Sequence, residues 1–532
     1  MKRSVCSLLA LASVGLILAG CTETSSSSTT TGSGEEITLT WWNDYAQTGE
    51  SSATQRYDYV QSVIEAFEAD HSNIHVVQEN HNSYGEIAGD VTNALSAGGR
   101  NLPNIASVYP DNAVIWNKTE GAVLHPEKYF EDKEVGFGDT YEDIKASISA
   151  EKSGYGNGPL LTLPYSRSSE AMFLNQTVFD KVGEGLCGND SDPAVMGNQE
   201  KYTAPRAAAS KVKYEVPTNY TDMIALARQM KSDFPEVFAN QRDSNNMLTA
   251  VPICYDSGDN MFITFSKMMG IPYTDEAKVL FNNDDAKKMM IQLKKWNNEG
   301  LIATADQLPI TNAEEGWHEY STSMVNYGKV FILISSTTSG MYLGVDGYRV
   351  GVYQTPTMGG KDMKDVTFSS SVSANGEHYA ISQGPSLCLF EGGDEEVNKA
   401  TFEFYTFLTN TENGAGLSKT TGYFPVRESS SETDELKTII DAADSEITDK
   451  SNSAADLTAK TDHYKGRSYE INQEYIAQDD YFIATINDKS AATRSAVGDM
   501  VNTIFNTVAT TDDAIETLVN EAFQNAYVKA VA

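Results

Sequence analysis

The 532-residue chain carries 74 Asp and Glu against 39 Lys and Arg, a formal net charge of −35 at pH 7. A field of that sign repels phosphate backbones and anionic headgroups, which excludes nucleic acid or an anionic lipid surface as a partner held by charge alone. With 40% hydrophobic and 10% aromatic residues, the chain has the apolar mass for two or three core-sized units and is not a disordered protein.

Lys2 and Arg3 precede an apolar run from Leu8 to Leu18, and the small residues Ala19 and Gly20 precede Cys21. This layout predicts an export signal over residues 1–20, too short to span a bilayer. Leu18-Ala19-Gly20-Cys21 resembles a bacterial lipobox, which implies that the Cys21 thiol accepts a diacylglyceryl group, and two acyl chains anchor a protein stably. Residues 21–36 are mostly Ser, Thr and Gly with nothing to bury, and are predicted to be a flexible tether spanning on the order of 20 Å. The folded part is thus expected on the extracellular face of the bacterial cell membrane. Of five cysteines, Cys6 leaves with the signal and Cys21 carries lipid. The odd, widely spaced trio Cys187, Cys254 and Cys388 makes no disulfide framework; buried or unpaired thiols with at most one bridge are expected.

Ile37, Leu39 and Trp41 alternate with Thr38, Thr40 and Trp42 and predict a strand ending at Asn43-Asp44, with Trp41 inside and Trp42 free. Val60, Val63, Ile64 and Phe67 fall at helical spacing. Ile74 to Val77 reads as a strand, and Ile87, Val91, Ala94 and Leu95 as a helix closed by Gly98-Gly99. Asn104 to Tyr109 is the third strand. Strands alternating with helices imply an α/β fold with a parallel sheet. His71, His75 and His81 lie close in sequence but on a helix end, a strand and a loop, so no metal and no cofactor is expected.

Further on, Leu163 to Asn175 is a loop running into a strand, and residues 184–216 form a polar insertion punctuated by Gly188, Pro193, Gly197 and Pro205. Thr218 reads as the cap of one helix, and Asp284 as the cap of another whose buried side is Met289, Leu293 and Trp296 and which ends at Gly300. The run VFILISSTTSGM is a buried strand passing into a small-residue loop. Polar helices run through NKATFEFYTFL and TRSAVGDMVNTIF, with a charged, exposed segment from Ser431 to Lys460 between them. No His-Glu-x-x-His, phosphate-binding glycine loop or Gly-x-Ser-x-Gly elbow occurs.

In α/β sheets ligands bind beyond the carboxyl ends of the strands. Trp42, Asn43, Asp44, Tyr109, Asp111 and Asn112 sit at those ends. Aromatic faces beside short polar side chains suit a sugar or polyol, whose ring has apolar faces and hydroxyl edges.

The segments VIEAFEADHSNIHV, NALSAGGRNLPNI, GAVLHPEKY, LPYSRSSEAMFLNQTVFDKVG, VPTNYTDM, IQLKKWNNEGLI, NYGKVFILIS and KTTGYFPVR, in this order, resemble the extracellular solute-binding proteins of carbohydrate-type ABC importers, the family of maltose- and glycerol-3-phosphate-binding proteins. The resemblance spans nearly the whole chain after the tether. It implies a periplasmic-binding-protein-like α/β fold, two lobes joined by a hinge with the ligand between them: residues 37–166 and 382–428 in one lobe, 167–381 and 429–532 in the other. It also implies a monomer that works with ABC permease subunits. Within the glycerol-3-phosphate subgroup's pattern, Tyr84, Ser168, the loop from Ser336 to Ser339, Gly384, Tyr423 and Arg494 fall on positions that line the pocket. The subgroup's glycerol-binding glutamate falls on Pro110, and the paired aromatics that precede the arginine in maltose-type proteins are here Ala491 and Ala492, which speaks against a long stacked oligosaccharide.

Arg494 would grip phosphate or carboxylate with its two-pronged guanidinium; its alternative role is a salt bridge within its own lobe. Two readings compete with transport. A surface glycan hydrolase would use paired carboxylates such as Asp44 and Asp111, and an adhesin would keep the fold for binding glycans.

Overall fold

The structure, a computed structural model, describes residues 36–48, 51–181, 213–235, 237–239, 242, 247–308, 321–326, 328–344, 348–449 and 453–532. The expected export signal, the lipid-bearing Cys21, most of the tether and of the 184–216 insertion, and Cys187 lie outside these residues.

The first sheet region runs β1 (Ile37–Asn43), α1 (Ser51–Asp70), β2 (Ile74–Asn80), α2 (Tyr84–Ser96), β3 (Ile105–Val108), α3 (Pro110–Trp116), α4 (Tyr141–Gly154) and β4 (Leu163–Pro164). The second follows with β5 (Glu170–Asn175), α5 (Gln176–Lys181), α6 (Tyr220–Asp233), β6 (Val251–Tyr255), α7 (Gly258–Met269), α8 (Asp284–Asn298), β7 (Ile302–Thr304), α9 (Ser321–Asn326), β8 (Val330–Ser336) and β9 (Val350–Tyr353). The chain then passes through β10 (Ala380–Ile381), β11 (Ser386–Leu389), α10 (Glu395–Leu408), α11 (Thr411–Thr421), α12 (Asp434–Asp441), α13 (Ala454–Ala477), β12 (Tyr481–Phe482), α14 (Ser490–Asn506) and α15 (Asp512–Val531).

The expected α/β alternation is present, but neither of the two five-stranded sheets is purely parallel; β10 and β12 form a separate two-stranded parallel sheet. The first has the order β2-β1-β3-β11-β4, with β1 parallel to β2 and β3, and β11 antiparallel to β3 and β4. β11 enters this sheet from the opposite direction because it returns from the second. The second sheet, β7-β6-β8-β5-β9, is parallel at β6 and antiparallel where β5 meets β8 and β9. Its strands are apolar runs because both faces are covered. Met172 and Leu174 of β5 face a core with Phe265, Val497 and Phe523, while Ala171 and Phe173 face Leu333, Tyr464 and Tyr475. The first sheet has its own core, in which Trp41, Ile64 and Phe67 meet Phe402, Phe404 and Tyr405 of α10.

Three local expectations are corrected. Asn219, not Thr218, caps α6, its side chain accepting from the Asp222 amide, because Thr218 lends its carbonyl to Thr357 instead. Asn283 caps α8, and Asp284 lies already inside the first turn, where its charge favours the helix dipole. The charged stretch from Ser431 holds α12 and the start of α13, since Leu436 and Ile439 turn one apolar face onto Phe424 and Tyr469. Cys254 and Cys388 are buried free thiols. Among the described residues no helix is long and apolar enough to cross a membrane.

Between the sheets the chain crosses in short extended stretches. Ser168 and Gln383 exchange backbone hydrogen bonds of 2.9 and 2.7 Å, and Arg167 pairs with Phe424. Gly384 has φ +97°, and a Cβ there would lie 2.6 Å from the Ser166 carbonyl oxygen, so only glycine lets these strands touch. The Arg167 guanidinium is buried against Glu151 of α4 and reaches the Ser386 hydroxyl at 3.1 Å and the Gly384 carbonyl at 3.3 Å. Thr162 donates to the same Glu151 and lies 2.7 Å from the Tyr155 hydroxyl, which is 3.0 Å from the Pro110 carbonyl at the start of α3. The crossing is thus tied by one polar chain to the end of β3.

Candidate functional site

Two polar groups flank Tyr109, one beyond β1 and one at the start of α3. After β1 the Asn43 carboxamide accepts from the Tyr45 amide at 3.0 Å, a local turn that swings Asp44 out of the sheet. Asp44 Oδ2 stands 3.9 Å from Arg56 Nη1, while Asp44 Oδ1 and Arg56 Nε are both buried without a partner. Burial pushes the Asp44 carboxyl upward, opposed by Arg56 and by the Tyr84 hydroxyl. Tyr84 opens α2 behind its cap Ser83, meets Tyr109 edge to face at 5.6 Å between centroids, and shares its hydroxyl environment with Tyr423. Tyr109 remains 39% exposed and Tyr342 38%, so both rings offer apolar surface to a ligand.

The second group centres on Arg494 in α14. Its Nη1 donates to Asp259 Oδ2 at 2.6 Å and to Asn260 Oδ1 at 2.7 Å, both in the first turn of α7. A salt bridge was its alternative role, and here it joins α14 to α7, whose apolar faces share one core. Asp111 faces the same guanidinium; burial raises its carboxyl and Arg494 opposes the rise. Asn112 donates weakly to Asp111 Oδ1 and the Tyr109 carbonyl, at 3.3 and 3.4 Å. Burial pushes the nearby Glu170 carboxyl up to about 8, which leaves it protonated at neutral pH. Arg494 therefore already has two acidic neighbours, Asp259 and Asp111. The crevice among Tyr109, Asp111, Tyr273, Gly384 and Arg494 holds about 80 Å³.

The remaining sequence-derived positions are placed as follows. Trp41 is buried as alternation required, and Trp42 is half-buried, its ring 4.5 Å from His81 and its Nε1 donating to Glu79 at 2.8 Å rather than meeting the tyrosines. Ser168 and Gly384 belong to the crossing strands. Ser336 caps the 3-10 turn Thr337–Tyr342, and the Ser339 hydroxyl lies 2.8 Å from that of Ser335, which donates to Asp256 at 3.0 Å. Both serines thus serve the structure of β8 and the turn that follows it. His71, His75 and His81 do not converge: each has a different acidic partner, Glu403, Glu68 and Asp90.

Sequence reading missed Arg56, Asp259, Asn260, Tyr273 and Tyr342. Arg56 left a signal, because it sits four residues before Val60 on the stripe that continues to Ile64 and Phe67, a lone cation on an apolar helix face. The others depend on contacts between segments far apart in the chain.

Comparison with known proteins fits this geometry. The model of a family described as bacterial extracellular solute-binding protein matches residues 62–445. No curated protein matches the sequence. Among solved structures, UgpB from Mycobacterium tuberculosis, in complex with glycerophosphocholine, superposes with TM-score 0.58 at 14% identity over 94% of this chain and 100% of its own. The GacH receptor of Streptomyces glaucescens, solved unliganded and with acarbose, gives TM-score 0.57 at 13% identity over 93% and 99%. Maltose-bound T. maritima MalE3 gives 0.55 at 13% identity over 91% and 99%. At such identities the likeness establishes the two-lobed fold, and with the family match over most of the chain it leads to one conclusion: this protein belongs to the bacterial extracellular solute-binding proteins.

Proposed function

We propose that this chain is the substrate-binding, non-enzymatic component of an ABC importer, that it captures a neutral carbohydrate or polyol, and that Cys21 anchors it in the membrane by lipid. The two lobes combine residues 37–166 with 382–428, and 167–381 with 429–532. The observation that carries the ligand class is the pair of partnerless atoms Asp44 Oδ1 and Arg56 Nε beneath the tyrosines. Hydroxyls suit both, since a hydroxyl donates to a carboxylate and accepts from a guanidinium, whereas a fully ionised phosphate has no proton to donate. The phosphate alternative has less support, because Arg494 is engaged by Asp259 and Asn260 and faces Asp111. A hydrolase needs two carboxyls on either side of one bond, while Asp44 and Asp111 are each matched to a different arginine. The neighbours that bind acarbose and maltose are consistent with the reading.

A thermal-shift screen of neutral sugars, polyols and glycerol 3-phosphate tests it, since a ligand at about 100 times its Kd stabilises the native state by about 2.7 kcal/mol. The hit is then titrated calorimetrically into wild type and Arg494→Ala. The expected result is a neutral ligand whose affinity changes less than about tenfold in Arg494→Ala. Tight binding of glycerol 3-phosphate that collapses in Arg494→Ala would replace it with the phosphate reading, and turnover of a glycan with the enzyme reading.

Anchoring has its own test. In the native host, Cys21→Ser is expected to appear in the medium or to remain unprocessed, read by fractionation and mass of the N-terminus. Membrane retention with normal processing would remove the lipid anchor.

A further inference from the structure

Beyond the cleft, one group of side chains has the composition of a metal site. His81 lies in the loop between β2 and α2, and Glu86 and Asp90 stand one turn apart on the same face of α2. One potential ligand atom from each lies within 4.8 Å of the other two, and among the described residues this is the one such convergence of three. His81 Nδ1 is 2.9 Å from Asp90 Oδ2, a hydrogen bond that opens by only about 0.5 Å when both atoms bind one tetrahedral ion at about 2.0–2.2 Å. Two carboxylates at this helical spacing repel one another, so the arrangement calls for a positive charge. His81 beside Asp90 supplies part of it, while Glu86 receives the neutral Asn82 amide, at 2.8 Å.

The ring of His81 is already oriented, lying against Trp42 with centroids 4.5 Å apart, and its side chain is 15% exposed. Asp90 is 42% exposed, which leaves room for water to complete the coordination. Imidazole nitrogen with two carboxylate oxygens suits a borderline transition cation better than Ca²⁺ or Mg²⁺, which favour all-oxygen sets.

We propose that His81, Glu86 and Asp90 bind a divalent transition cation of the zinc type on the first lobe. The ion ties the β2–α2 loop to the second turn of α2 and so fixes the helix start that carries Tyr84. The site stands whatever the cleft binds.

The test is calorimetric titration of metal-free full-length protein with Zn²⁺ alone. His81→Phe keeps a ring against Trp42 without a ligand atom, and Glu86→Gln changes an exposed side chain that the fold does not need. Wild type is expected to bind one Zn²⁺ per chain, with affinity falling at least tenfold in each variant. Cu²⁺ is expected to quench part of the tryptophan fluorescence in wild type, and that part is expected to vanish in Trp42→Phe. Absence of one-to-one Zn²⁺ binding in wild type, or unchanged affinity in either ligand variant, overturns the site.

Discussion

Replacing Arg167 by methionine is expected to destabilise the protein by about 3–5 kcal/mol, the cost of leaving a buried charge without its partner. Glu151 is 1% exposed and Arg167 8%, both at the wall of the crevice beside Tyr109, where bulk solvent does not replace the guanidinium. The loss extends beyond the pair, because Arg167 also holds the Gly384 carbonyl and the Ser386 hydroxyl. Urea unfolding of Arg167→Met, Glu151→Leu and the double variant measures it. The double variant is expected to recover much of the stability, since no unpaired charge remains. Equal losses in all three would show that packing, not charge, holds the crossing. Through Thr162 and Tyr155 the same chain reaches Pro110, so ligand affinity is expected to fall in Arg167→Met as well.

The second large effect is on binding. Asp44→Ala is expected to weaken the ligand found by the screen by about 2–5 kcal/mol, roughly thirtyfold to several thousandfold, with little loss of ligand-free stability. The two halves of this expectation have different causes. Asp44 Oδ1 has no partner in the ligand-free protein, and Oδ2 meets Arg56 only at 3.9 Å with both side chains partly exposed, so removing it sacrifices little there. In the complex its absence also leaves a sugar hydroxyl short of a partner. Calorimetry and thermal melting of Asp44→Ala and Asp44→Asn separate the two. A large ligand-free destabilisation with unchanged affinity would make Asp44 a structural counter-ion of Arg56, and the neutral-sugar reading would lose its support.

How far these sites were legible depended on the range of the interaction. Tyr84, Tyr109 and Tyr423 were named from strand ends and from family resemblance, and the structure brings them together. Ser336 and Ser339 were named in the same way, yet their surroundings show local duties, a turn cap and a hydroxyl pair, whereas Gly384 both permits a close backbone approach and lines the crevice. A matched position transfers the place of a residue in the fold, not the direction of its side chain. Trp42 illustrates the same limit. Alternation placed it opposite Trp41 and expected a free ring, whereas it packs half-buried against the edge of the first core and against His81, 39 residues later, which takes one face of the ring.

The sequence by itself determined the alternation of β1, α1, β2, α2 and β3, the burial of Trp41, the two-sided burial of the VFILIS strand and the family, because each rests on periodicity within a few residues or on the order of segments. Only the tertiary structure decided the mixed direction of both sheets, the pairing of Arg494 with Asp259, the burial of Arg167 on Glu151 and the partnerless atoms of Asp44 and Arg56. The physical reason is that a buried charge is stable only against a specific partner, and that partner is set by which distant segments the two cores bring within hydrogen-bonding distance, a choice that local side-chain spacing does not encode.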